Sequence, residues 1–171
     1  RSRIAAFVRK HSVGKIANGF YGLMCANSPA TSQWSSFKST CNYNTWVIGG
    51  VFCASMAFLE YDPDYYMTNV ANSIRGLEYS VCGFAPSGGW VETPGYGDIA
   101  YHYLAHFTST SEICFGSSFK LPQYQGMDKV SAWRTSVSGY DKTVLIGDGS
   151  NTGATTDSVM YMDKYYGNDD Y

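Results

Sequence analysis

Residues 45–60, TWVIGGVFCASMAFLE, decide the fold class. Sixteen residues with a single charge, Glu60 at the very end, are too many for a typical strand and suit a helix of about four turns. Apolar side chains fall on every face, so this helix is expected to be buried on all sides. Gly49 and Gly50 allow a neighbouring helix to come close.

The flanking sequence reads as further helices. Asp62 followed by Pro63 is a helix start, with Asp as cap and Pro at the first position. From there to about Ser80, Tyr66, Val70, Ile74, Leu77 and Val81 form one amphipathic stripe. Residues 3–12 (RIAAFVRKHS) put Ile4, Phe7 and Val8 on one helical face, with Gly14 as a stop. Residues 15–25 read as a second short helix. Residues 26–44 are rich in Ser, Thr and Asn and read as a long loop, a class of segment that often carries function. Residues 83–97 (GFAPSGGWVETPGYG) are turn-rich and read as irregular. Helices are expected at about 98–114 and 126–137, the latter with Val130, Trp133 and Val137 at helical spacing. Residues 143–150 (TVLIGDGS) suit a short extended piece in which Asp148 is a turn residue or cap, and a last helix, capped by Thr155 or Thr156, runs to about Tyr166. The expected fold is all-α, with about seven helices, little strand, and helical hairpins stacked in a ring or bundle.

Composition limits the function. The chain has 171 residues, the size of one domain, and no linker or repeat is visible. Twelve basic and fourteen acidic residues give a net charge of −2 with no block of like charge. This argues against a nucleic-acid partner and against a polybasic membrane patch. No apolar run is long enough for a transmembrane helix. Aromatics make up 16% of residues, and 15 of them are Tyr. Rings with a flat apolar face and a polar tip suit hydroxyl-rich ligands such as sugars, although core packing explains many of them. The five cysteines, at 25, 41, 53, 82 and 114, have no CxxC spacing, so neither a zinc knuckle nor a redox motif is indicated. His102 and His106 are spaced i, i+4, but no HExxH surrounds them, and no metal or other cofactor is expected in this chain. There is no initiator Met or signal peptide, and Arg1 already begins helical sequence, so the chain is expected to be a piece of a longer protein or a processed product.

Two junctions between a loop and an apolar helix concentrate polar groups. One is Cys41-Asn42-Tyr43-Asn44-Thr45-Trp46; the other runs from Gly88 to Asp98, GGWVETPGYGD. On their residues alone, Asn42 or Asn44 can serve as N-caps, and Tyr96 and Glu92 can be packing and loop residues. Trp46 and Trp90 suit either sugar stacking or packing.

The order NYNTWVIGG, EYDPDYY, APSGGWVETPGYGDIAYHYL and VLIGDGSNTG resembles the heparinase II/III-like polysaccharide lyases over roughly residues 30–166. Thr93, Ser87 and Gly97 depart from the family's usual Gly, Asp and Trp. The resemblance implies an incomplete (α/α) toroid over residues 1–171, followed in the parent protein by a C-terminal β-sandwich absent from this chain. It implies a secreted or periplasmic protein that cleaves uronic-acid polysaccharide, such as a glycosaminoglycan or alginate-like polymer, by β-elimination. Carried over by position, Asn42 would neutralise the uronate carboxylate and Tyr96 would act as acid or base. Tyr43, Asn44 and Glu92 would by the same matching bind substrate or support the site, and Trp46, Trp90 and His102 join them as substrate-binding candidates on their own ring chemistry and place in the sequence. Any structural metal would belong to the β-sandwich, and the isolated chain is expected to have little or no activity. Two rivals remain: a non-catalytic carbohydrate-binding remnant, and a glycoside hydrolase using Glu92 and Asp98, which needs two carboxylates about 5–9.5 Å apart.

Overall fold

The structure, a computed structural model, describes residues 2–13, 42–138 and 156–167. Among the described residues it is mostly helical, with six α-helices and no strand. These are α1 (Ser2–Val8, continued by a π turn over Arg9–Val13), α2 (Asn42–Ala57), α3 (Pro63–Val81), α4 (Pro94–Phe115), α5 (Val130–Ser136) and α6 (Thr156–Tyr166). The helix expected at 15–25, the loop as far as residue 41, and the extended piece at 143–150 with Asp148 lie outside the described residues.

Helix α2 grows from the apolar run, but it is shifted toward the N-terminus. It starts at Asn42, so residues 42–44 are helix and not loop. It ends at Ala57, and Leu59–Tyr61 form a 3-10 turn that swings the chain into α3. The helix packs against α3 on one side and α4 on another. Ile48, Val51 and Phe52 are buried between them. Burial on every face does not hold, however. Trp46, Gly50, Cys53 and Ala57 are exposed at spacings of four, three and four, which is one stripe along the helix. The two flanking helices cover only part of a cylinder's circumference, and this stripe lies between them on the remaining side.

Helix α3 starts as Asp62-Pro63 indicates: the Asp62 carboxylate accepts the Tyr65 N–H at 3.2 Å. The same carboxylate pairs with Arg9, whose guanidinium lies over the Tyr65 ring at 4.1 Å. The Tyr66 hydroxyl donates to the Ala5 carbonyl at 3.5 Å, so α1 is held against the start of α3.

Helix α4 starts earlier than residue 98. The Thr93 hydroxyl accepts the Tyr96 N–H at 3.2 Å, and Pro94 occupies the first position, where a missing N–H costs nothing. The irregular stretch therefore ends at Thr93, and Pro94–Gly97 form the first turn of a helix 22 residues long. Helices α2 and α4 run parallel. Gly49 of α2 faces Tyr103 of α4, and three residues on, Phe52 meets Phe107 at a ring separation of 4.4 Å. Helix α6 packs on α4, and Ser131 of α5 donates to the Asp163 carboxylate of α6.

The turn between α3 and α4 is built around Trp90. Its ring is 5% exposed and lies 4.6 Å from Phe84. Gly83 and Gly97 approach it from two sides, so closely that a Cβ on either would come within 2.6 Å of the Trp90 side chain. Gly97→Ala places its methyl against the Trp90 Cβ, which cannot swing aside. We expect a loss of about 1–3 kcal/mol, the usual cost of overpacking. Urea unfolding measures it, and an unchanged midpoint would show that the turn yields freely.

Candidate functional site

The first N–H groups of a helix have no partner within it. In α2 one of these partners comes from fifty residues away. The Glu92 Oε2 accepts the Asn42 N–H at 2.7 Å and, in addition, the Trp90 Nε1–H at 2.9 Å. A carboxylate is well suited here, because a helix N-terminus carries partial positive charge. The two polar junctions picked out in the sequence therefore meet, and a single side chain joins them.

Around this joint the nominated residues take different positions. Asn42 is the first residue of α2 and is buried; its carbonyl accepts the Thr45 hydroxyl at 2.8 Å. Asn44 is buried one step further on. The side chain of Tyr43 lies outside the described residues. Tyr96 stands in the first turn of α4, half-buried, with its ring against the core. Trp90 is part of the core and acts on the site through Glu92, not through an open ring face. Trp46 is 47% exposed and lies roughly parallel to Tyr103, with ring centres 6.3 Å apart. His102 lies further along α4, half-buried, its Nδ1 3.0 Å from the Ser158 hydroxyl and its Nε2 3.1 Å from His106 Nε2. Tyr101, beside it, is a core residue whose hydroxyl donates to the Met127 carbonyl.

Asp98, the second carboxylate of the hydrolase rival, faces inward. It pairs with Arg134 of α5 at 2.7 Å, and both side chains are buried. Burial pushes its pKa up to about 6, and Arg134 offsets only part of that rise. Asp98 holds α4 to α5. Two open depressions, of about 610 and 440 Å³, are lined by Met56, Ala57, Leu59, Glu60 and Pro63, and by residues 122–126, Asp128 and Lys129 with Tyr165 and Tyr166, away from the joint. Three participants escaped the sequence reading. Thr93 was legible from the Thr-Pro pair, whereas Tyr103 and Arg134 reach their partners through tertiary packing that spacing does not reveal.

A scan of the chain against known protein-family profiles finds no match, and no curated protein sequence matches it.

Two outcomes are expected. Glu92→Ala leaves two partly buried donors unpaired and should cost about 1–3 kcal/mol. Glu92→Gln keeps an acceptor oxygen and loses only the charge, so its cost should be about 0.3–1 kcal/mol. Equal losses in the two variants, by urea unfolding, would show that the hydrogen bonds are not what matters. For Asp98 the folded-state pKa, about 6, lies above the ordinary 3.8. Between those values the folded chain holds a proton that the unfolded chain has lost, so lowering the pH through this window favours folding. Wild-type stability relative to Asp98→Asn should therefore rise from pH 6.5 to pH 4.5. A fall over the same interval would mean that Arg134 outweighs burial and holds the carboxyl low.

Proposed function

We propose that these helices belong to an (α/α) toroid of a polysaccharide lyase-type protein acting on uronic-acid polymers by β-elimination. The observation that carries this reading is the Glu92 joint, which unites the Asn42 and Tyr96 junctions at the start of two parallel helices. Parallel neighbours α2 and α4, with α3 running back outside α2, are also the arrangement that successive hairpins of such a ring require.

In this reaction the C5 proton of the uronic acid leaves, the C4–oxygen bond breaks, and a C4–C5 double bond forms. The proton becomes acidic enough only when the neighbouring carboxylate is neutralised, which an amide does by donating hydrogen bonds to its oxygens. Asn42 takes that part, and Asn44 supports it. Tyr96 exchanges the proton, as base toward C5 or as acid toward the leaving oxygen. Glu92 anchors the loop, Trp46 offers a stacking face, and Tyr43 and His102 border the substrate. The reading carries with it a secreted or periplasmic location and a β-sandwich partner in the parent chain.

Tyr96→Phe in the full-length protein should lower elimination on an acidic polysaccharide by about 100-fold or more, read by the near-ultraviolet absorbance of the new double bond. Unchanged turnover would remove Tyr96 from the mechanism. Asn42→Ala reads whether its buried amide reaches the substrate; unchanged turnover there removes Asn42. The exposed Trp46, paired with the half-buried Tyr103 and close in sequence to two buried amides, favours a second reading, a non-catalytic carbohydrate-binding domain. Polysaccharide binding lost in Trp46→Ala, with no absorbance change in any assay, would select it. The hydrolase is disfavoured by the engagement of Asp98 with Arg134.

A further inference from the structure

Helix α4 carries a second group of functional side chains, apart from the Glu92 joint. His102 and His106 are one turn apart, on one face of the helix. Their Nε2 atoms are 3.1 Å apart, nearer than the ring centres at 4.4 Å, so both nitrogens lie on the inner sides of the two rings. Two nitrogens each about 2.0–2.1 Å from one metal ion are about 2.8–3.4 Å apart, from a square to a tetrahedral angle between them. The observed separation fits without moving the backbone.

His102 is oriented from behind. Its Nδ1 lies 3.0 Å from the hydroxyl of Ser158 on α6, and that hydroxyl lies 3.5 Å from the Asp157 carboxylate. With Nδ1–H donating to Ser158 and the hydroxyl donating to Asp157, the tautomer is fixed and the Nε2 lone pair of His102 faces His106. A partner on the far nitrogen is the usual support of a metal-binding imidazole. Ser158 is buried, so this support comes from the packing of α6 on α4. In this tautomer the exposed His106 donates its Nε2–H to His102 Nε2, and a cation entering there takes the place of that proton, which moves to His106 Nδ1 or to solvent.

We propose that His102 and His106 form a chelating site for one divalent cation of the zinc, nickel and copper class, for which imidazole is a preferred ligand. Among the described residues no third His, Cys, Asp or Glu side chain converges there. The remaining coordination positions belong to water or to an oxygen ligand in solution, as in an open site and not a closed structural one. The proposal does not rest on the lyase reading, in which His102 only borders the substrate and His106 has no part.

Nickel chloride titrated into the full chain, followed by calorimetry, tests the site with imidazole as the matched ligand. Saturable binding of one Ni²⁺ per chain is expected, lost in His102→Ala and in His106→Ala. Ser158→Ala should weaken it by about tenfold, because the ring loses its orienting partner. His11→Ala, at the far π turn, should leave it unchanged, and so should prior blocking of the exposed thiols of Cys53, Cys82 and Cys114 with N-ethylmaleimide. Helical circular dichroism confirms that the variants are folded, and His106→Asn, at an exposed position, stands in if an alanine variant is not. Absence of saturable binding in the wild type overturns the proposal. So does binding that survives loss of His106, or binding that disappears when the thiols are blocked.

Discussion

The first N–H groups of α2 need acceptors from outside the helix, and the arrangement of the molecule follows from how that need is met. The acceptor is Glu92, carried by the turn between α3 and α4. For Glu92 to reach Asn42, that turn must lie over the N-terminus of α2, and α4, which starts two residues later, must begin at the same end. Parallel packing of α2 and α4 is the result, and α3 is left to return along the opposite direction. Trp90 adds rigidity: its indole N–H shares the same carboxylate oxygen while its ring fills the space that Gly83 and Gly97 leave. A flexible turn would place Glu92 only part of the time. A turn packed around a buried indole holds it in place.

How much of this was legible depends on whether the signal was local. Asp62-Pro63 announced α3, and the Asp62 carboxylate caps it as the residue pair implies. The same logic applies to Thr93-Pro94, but the glycines at 95 and 97 and the turn-rich run before them read as a loop, and α4 begins four residues ahead of the expected Asp98. Gly97 is there for Trp90 and not for a loop, a tertiary reason that no window of sequence contains. In 45–60 the helix was plain, but its exposed stripe was not. Trp46, Cys53 and Ala57 are apolar or nearly so, and hydropathy cannot tell an open face from a buried one when both are apolar.

The polar residues show the same division. That the junctions at 42–46 and 88–98 matter was visible from their composition, and they meet. Which atoms meet was not visible: the contact uses the backbone N–H of Asn42 and not its amide. Asp98 looked like a loop carboxylate open to substrate, yet it lies inside α4 opposite Arg134, a partner 36 positions away. His102 and His106 could be paired by counting, but Ser158, which orients the first of them, lies on another helix.

The joint between Glu92 and α2 has a consequence for how the chain can vary. Because the donor is a main-chain N–H, every amino acid except proline supplies it equally well, and the register of the two junctions is written into the backbone at position 42. The acceptor side has no such latitude, since only a side chain of the right length ending in a carboxylate or amide oxygen reaches the helix and the indole together. Residue 42 is thus relieved of architectural duty while residue 92 bears it. A different side chain at the start of α2 leaves that hydrogen bond in place, provided it fits the buried space that Asn42 fills.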